Sequence, residues 1–180
     1  MDFLNLVKKR QSTRRYLNKP VERDKIERCI EAARLAPSAT NTQPWKFIVV
    51  DNPELREKVA NKTFNQIVSF NRFSLQAPVL TVITSNRMNF SNKITQTLKN
   101  RELTPIDIGI AAEHICLQAA EEGLGTCFMG WFDEKGVKKL LGVPASKRVE
   151  LIIAMGYPAS DIIRAKTRKK LDEIMTYNHY

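Results

Sequence analysis

Arg10, Ser12 and Arg14 stand at alternate positions of the segment Arg10-Gln11-Ser12-Thr13-Arg14-Arg15-Tyr16, which carries no helical apolar stripe. In an extended chain, alternate residues share one side. Two guanidinium groups and a hydroxyl would then face one anion, and a phosphate suits such a forked donor set. The same spacing also fits a solvent-facing strand with ordinary charges. A second polar group, Pro37-Ser38-Ala39-Thr40-Asn41-Thr42-Gln43-Pro44-Trp45, offers Ser38, Asn41 and Gln43 to the carbonyls and ring nitrogens of a planar heterocycle. It reads equally well as a turn. A third, Gly123-Leu124-Gly125-Thr126-Cys127-Phe128-Met129-Gly130, lets the backbone come close to a ligand. A helix-ending glycine followed by a turn has the same composition. It is neither GxGxxG after a strand nor GxxxxGK[ST], so it carries no dinucleotide or P-loop fingerprint.

Side chains able to carry a reaction by themselves are scarce. The chain has no GxSxG, no HExxH and no evident carboxylate pair. Cys29, Cys116 and Cys127 form no CxxC, and His114 and His179 have no ligand-like spacing, so no metal site is expected. The cysteines read as small core residues of a cytoplasmic protein. An enzyme so furnished needs a cofactor to do its chemistry, although a non-enzyme would look the same. The 29 Lys and Arg against 19 Asp and Glu leave a net charge of +10, which favours an anionic partner. Arg10, Arg14 and Arg15 lie near one end of the chain, with Lys166, Arg168, Lys169 and Lys170 near the other. Termini of compact domains often meet, so the two groups could converge on one anion. No recognition helix or aromatic-interleaved sheet motif points to nucleic acid. No apolar run reaches the ~20 residues of a membrane span.

The elements that must position these groups follow from periodicity. Asp2 suits the N-cap of a short helix with Phe3, Leu4 and Val7. A second helix after Pro20 carries Ile26, Cys29, Ile30 and Ala33 and stops before Pro37. Residues 45–50 and 78–84 read as strands, with Pro53 opening a helix between them. Thr104, Pro105 and Asp107 suggest a capped start to a long helix whose apolar residues cover more than one face. Such a helix is either central or part of a subunit interface. Residues 127–132 read as extended, Asp133 as the cap of a short helix ending at Gly142, and residues 149–155 as the last strand. The 180 residues fit one domain, 1–180, and the irregular order of helices and strands indicates an α+β class.

Taken together, the segments resemble the nitroreductase family, in order and over nearly the whole chain. Arg10-Gln11-Ser12-Thr13-Arg14-Arg15-Tyr16 is similar to its R-x-S-x-[RK]-x-[FY] motif, and residues 36–45 to its A-P-S-x-x-N-x-Q-P-W motif. Gly123-Leu124-Gly125-Thr126-Cys127, Met155-Gly156-Tyr157-Pro158 and Lys166-Thr167-Arg168-Lys169-Lys170-Leu171 complete the set. The resemblance implies a three-layer α+β fold with a central mixed sheet flanked by helices. It also implies an interlocked homodimer with FMN at the interface. Arg10, Ser12 and Arg14 would hold the flavin phosphate and ribityl chain, joined by Lys166 and Arg168. Pro37, Ser38 and Asn41 would approach the ring from the partner subunit, Asn71 would meet its pyrimidine side, and Met129 and Gly130 its reactive nitrogen.

The activity implied is hydride transfer from NADH or NADPH through the flavin to a nitroaromatic, quinone or free flavin. The two substrates would use one pocket in turn, with no protein acid or base required. Alternatives within the resemblance are a flavin-binding or redox-sensing protein without turnover, and a flavin-fragmenting or dehalogenating relative. Ala39 stands where many relatives carry Ser, and Gln11 where many carry Arg. Any cover over the acceptor pocket is confined to residues 64–73 or 86–101.

Overall fold

The computed structural model describes residues 2–86 and 102–180, and it places four strands in one sheet of order β1-β2-β4-β3. The strands are β1 (Trp45–Val50), β2 (Val79–Asn86), β3 (Gly125–Met129) and β4 (Lys147–Gly156). All paired strands run antiparallel. The mixed character expected of the sheet is confined to one parallel bridge, Ser12 to Thr126, because the N-terminal segment touches β3 at a single residue before turning away.

Every residue of β2 except Asn86 is buried, since helices cover both faces. Side chains alternate between the faces with the strand period of two. Val79 and Ile83 join one cluster, Leu80 and Val82 the other. The first cluster is closed by α2 (Arg23–Arg34), through Ile26, Cys29 and Ala33, and by α4 (Thr104–Glu121). The second is closed by α3 (Pro53–Ala60), through Val59 and Ala60, and by α5 (Glu134–Leu141), through Val137. Three layers result.

Much of the apolar surface of α4 is covered within the protomer. Ile108, Ala111, Ala112, Ile115, Cys116 and Ala119 pack between α2 and the sheet, while Ile106 remains exposed. Its start differs from expectation. Leu103 is the N-cap and makes no side-chain cap, and Asp107 accepts a hydrogen bond from the Ala39 N–H at 3.1 Å instead of closing a capping box. The shorter helices follow their local signals. Asp2, Asn52 and Asp133 each cap a helix through a side-chain oxygen, and Gly142 ends α5 in the left-handed region at φ 63°. By contrast α1 (Phe3–Lys9) buries none of its residues. The chain after β4 forms no regular element beyond one turn at Leu171–Glu173.

Candidate functional site

The open edge of β3 is where the N-terminal segment settles. Thr13 donates its N–H to the Thr126 carbonyl at 2.8 Å, which satisfies part of an edge that would otherwise lie unpaired. The buried Tyr16 hydroxyl donates to the Thr13 carbonyl at 2.7 Å and locks the segment in place. The close approach requires a glycine at position 125, because a Cβ there would collide with the Thr13 side chain. Gly123, at φ 76°, ends the preceding helix. Gly125 therefore serves packing and Gly123 a left-handed helix end, and the open backbone of this stretch lies further on. Among the described residues other than its chain neighbours, no atom comes within 4 Å of where a Cβ on Gly130 would sit.

The two basic ends of the chain meet beside this edge. Lys166 Nζ donates to the carbonyls of Val7 and Lys8, at 2.6 and 2.7 Å, and so caps the end of α1. Burial, then the nearby charges of Arg10 and Arg168, push the Lys166 pKa down. Arg10 Nε lies 3.3 Å from Glu113 on α4, yet it is buried without a hydrogen-bond acceptor of good geometry. Burial pushes the Glu113 pKa up, against the opposing charges of Arg10, Lys166 and His114. Arg10 and Lys166 thus share one carboxylate that holds its charge poorly, with Arg168 adding a third positive charge beside Lys166. An added anion would relieve both the repulsion and the orphaned donor.

From there the remaining groups continue along the same edge. The Cys127 thiol donates to the Phe128 carbonyl at 3.7 Å, and burial raises its pKa in spite of nearby Arg14, Ser12, Arg164 and Arg10. The Arg14 guanidinium lies 5.9 Å from the centroid of the Phe73 ring. Two residues before Phe73, the buried Asn71 donates an amide hydrogen to the Trp131 carbonyl at 3.1 Å. That leaves its other N–H and its carbonyl oxygen for a ligand. Met129, at the end of β3, is 1% exposed and packs into the core, and the exposed Gly130 follows it at the surface. Arg10 and Arg168 thus lie near Lys166, Arg14 reaches the Phe73 ring, and Asn71 bonds Trp131, which follows Met129 and Gly130 in the chain.

Pro37, Ser38 and Asn41 are elsewhere. They line neither of the cavities formed by the 10–14 segment, and Pro37 and Asn41 are exposed. Thr40, Asn41 and Gln43 all have positive φ (51°, 55° and 45°), an uncommon and costly conformation for residues other than glycine. The loop is held by bonds from Gln43 N–H to Ser38 Oγ (2.9 Å) and from Gln43 Nε2 to Asn41 Oδ1 (3.1 Å), and by Asp107. Backbone strain held in place by surrounding structure is a recurrent feature of ligand-clamping loops.

Sequence reasoning passed over Arg164 and Glu113, and it treated Gln11 only as a departure. Gln11 in fact bonds the tail through both ends of its amide, to Ile162 and Arg164. The available signal was the alternation of Arg164, Lys166 and Arg168 in a stretch without apolar periodicity. Of the two stretches proposed to cover the acceptor pocket, residues 64–73 expose Ile67 and Phe70. The other lies outside the described residues beyond Asn86.

Known proteins bear on this arrangement. A model of the nitroreductase family matches residues 7–72 and 68–157. A nitroreductase family protein from Clostridium novyi NT superposes with a TM-score of 0.79 at 33% identity, covering 92% of this chain and 89% of that one. An FMN-dependent nitroreductase from Clostridium difficile R20291 superposes with a TM-score of 0.79 at 28% identity, over 99% and 100% of the two chains. The NADH dehydrogenase of Thermus thermophilus is 26% identical over 187 residues, 89% of each chain.

Proposed function

The chain belongs to the nitroreductase family, and on that premise we propose that it is an FMN-containing oxidoreductase that uses NADH or NADPH to reduce a nitroaromatic, a quinone or free flavin. The reading rests on one observation above all. Arg10, Lys166 and Arg168 converge from opposite ends of the chain, next to Ser12 and Arg14, with too little negative charge among them. A phosphate fits that deficit in both charge and donor geometry. The line of groups running on to Gly130 has the polarity a flavin requires, from a cationic end to an amide-rich end.

In this reading Arg10, Lys166 and Arg168 hold the phosphate, and Ser12 and Arg14 line the path of the ribityl chain. Asn71 offers its free amide atoms to the pyrimidine edge. The backbone of Met129 and Gly130 lies against the reactive side, where the absence of a Cβ at Gly130 leaves room for close approach. These residues would hold FMN, which when bound would supply hydride transfer between the nicotinamide and the acceptor in one shared pocket. Arg14 and the amide donors stabilise negative charge on the ring, and no protein acid or base is needed.

We further propose a homodimer in a cytoplasmic setting, built from a single domain over residues 1–180. Ile162, Leu171, Ile174 and Tyr177 of the tail, with Phe3 and Leu4 of α1, are each more than half exposed, which is unusual for large apolar groups on an isolated protomer. Dimerisation would also bring Pro37, Ser38 and Asn41 of the partner subunit to the ring. Three buried free cysteines suit a reducing compartment. Among the described residues, no helix is long and apolar enough to cross a membrane.

Turnover is the test. Oxidation of NADH or NADPH by the FMN-loaded protein should accelerate on adding a quinone or nitroaromatic, with parallel double-reciprocal lines. A flavin that binds but never passes electrons to any acceptor would instead support a binding or sensing role.

A further inference from the structure

The C-terminal end of α3, with the residues just after it, is tied to both segments that the flavin reading places at the ring. On one side it holds the short turn Arg72–Gln76, whose N-cap is Asn71. Thr63 Oγ1 donates to the Ala60 carbonyl at 2.8 Å and lies 2.9 Å from Ser74 Oγ. With the Thr63 hydrogen so placed, the Ser74 hydroxyl donates to Thr63, and both hydroxyls are satisfied. The Ser74 N–H in turn donates to the Asn71 carbonyl at 2.9 Å. Further back on α3, Arg56 Nη1 donates to the carbonyls of Leu75 and Ala77, at 2.9 and 2.7 Å, and secures the far end of the turn. On the other side, the Lys62 carbonyl accepts from the Asp133 N–H at 2.7 Å, and Lys62 Nζ lies 3.3 Å from the Asp133 carboxylate. Asp133 comes two residues after Trp131, whose carbonyl accepts the Asn71 amide hydrogen. This end of α3 therefore fixes both partners of the bond that orients Asn71. Thr63 and Ser74 are fully buried. An apolar pair of the same shape would pack there at little cost to stability. What a satisfied pair of hydroxyls adds is direction, since it specifies one placement of the two segments.

We propose that Thr63, acting through Ser74, is a positioning residue for the flavin ring: the buried hydroxyl pair sets the turn that aims the free amide atoms of Asn71 at the pyrimidine edge. The inference deepens the flavoenzyme reading and rests on it for the identity of the ligand. Both hydroxyls are shut off from the surface, so their effect on a ligand passes through Asn71. The groups assigned to the phosphate, Arg10, Lys166 and Arg168, belong to other segments. The hydroxyl pair therefore acts on the ring and not on the phosphate.

The test is a double-mutant cycle in the full chain, Thr63→Val against Asn71→Ala. Thr63→Ser is the conservative rescue, and Thr63→Val combined with Ser74→Ala removes both hydroxyls so that neither is left unpaired. Riboflavin, which lacks the phosphate, reports on the ring by flavin fluorescence. Thr63→Val should weaken riboflavin and FMN by the same factor, about three- to tenfold. It should also lower the midpoint potential of the bound flavin, as a donor to the reduced ring is displaced. Thr63→Ser should bind as the wild type does. The variant without either hydroxyl should keep the wild-type melting temperature yet bind riboflavin as weakly as Thr63→Val. In the Asn71→Ala background, Thr63→Val should weaken riboflavin no further. Equal loss in both backgrounds, or riboflavin binding untouched by Thr63→Val alone, overturns the proposal. The flavin-free protein gives a readout that needs no cofactor. There Thr63→Val should shift the NMR signals of the Asn71 side-chain amide and speed their hydrogen exchange, and unmoved signals overturn the proposal whatever the protein binds. A wild type that binds no flavin, with signals that do move, removes the flavoenzyme reading and leaves Thr63 as the residue that orients Asn71.

Discussion

Glu113 is the residue a cofactor phosphate would have to displace from Arg10, and its own titration reports on the site. Because burial raises its pKa, the folded chain holds that proton more tightly than the unfolded chain does. The stability linked to the proton is therefore present below the ordinary glutamate range and is lost as pH rises through the raised value. Glu113→Gln removes this dependence. Thermal melts between about pH 4 and 8 should show the wild type losing stability relative to the variant by a few tenths of a kcal/mol, small because the side chain is 41% exposed. The same variant frees Arg10, so FMN should bind a few-fold tighter; weaker binding would mean that Glu113 orients Arg10 rather than competing for it. Arg14→Ala and Arg168→Ala should each cost FMN binding about 1.5–3 kcal/mol. Flavin content after dialysis checks this, and unchanged content in both variants would remove them from the site. Much of this was legible beforehand. The alternate Arg-Ser-Arg spacing and the basic tail point to an anion from the sequence alone. Glu113 was not legible, since its meaning comes from Arg10, more than a hundred residues away in sequence, whereas Arg164 was signalled by its alternation with Lys166 and Arg168.

Two elements depend on such distant contacts. The N-terminal segment lies on β3 only because Gly125 leaves room for Thr13, so Gly125→Ala should push the segment off the edge. We expect a loss of about 1–3 kcal/mol in stability, the usual cost of overpacking, together with weaker FMN binding. Urea unfolding and flavin fluorescence would measure the two effects, and an unperturbed variant would show that the contact relaxes freely. The 37–43 loop depends on Asp107 in the same way. Asp107→Ala strands the Ala39 N–H and should destabilise the chain by about 1–3 kcal/mol, whereas Asp107→Asn, which keeps an oxygen acceptor, should cost less. The caps at Asp2, Asn52 and Asp133 and the αL glycine at 142 follow local rules, and the helices they bound were accordingly readable from the chain. The start of α4 at Thr104 was readable too, but its cap was not, because Asp107 is taken up by a loop 68 residues earlier. Ordinary capping logic cannot see that bond.

At the scale of the whole molecule, periodicity specified a layered α+β core, and the antiparallel order β1-β2-β4-β3 emerged only from the pairing itself. What the core leaves uncovered is as informative as what it buries. With Leu171, Ile174, Met175 and Tyr177 exposed on the tail, truncation after Arg168 should shift the protein from dimer toward monomer in sedimentation velocity. A full-length chain that sediments as a monomer at micromolar concentration would refute the dimer, and with it the role of Pro37, Ser38 and Asn41 across the interface. The two basic ends, separated by the full length of the chain, meet at one edge of the sheet. That meeting makes the fold and the proposed chemistry a single account.

The account stands most directly on whether the protein carries a flavin that a nicotinamide can reduce. Protein purified without added cofactor should be yellow and should release free FMN on denaturation. Anaerobic addition of NADH or NADPH should bleach its visible flavin band. Colourless protein that FMN cannot reconstitute, or a bound flavin that stays oxidised with both nicotinamides, would contradict it.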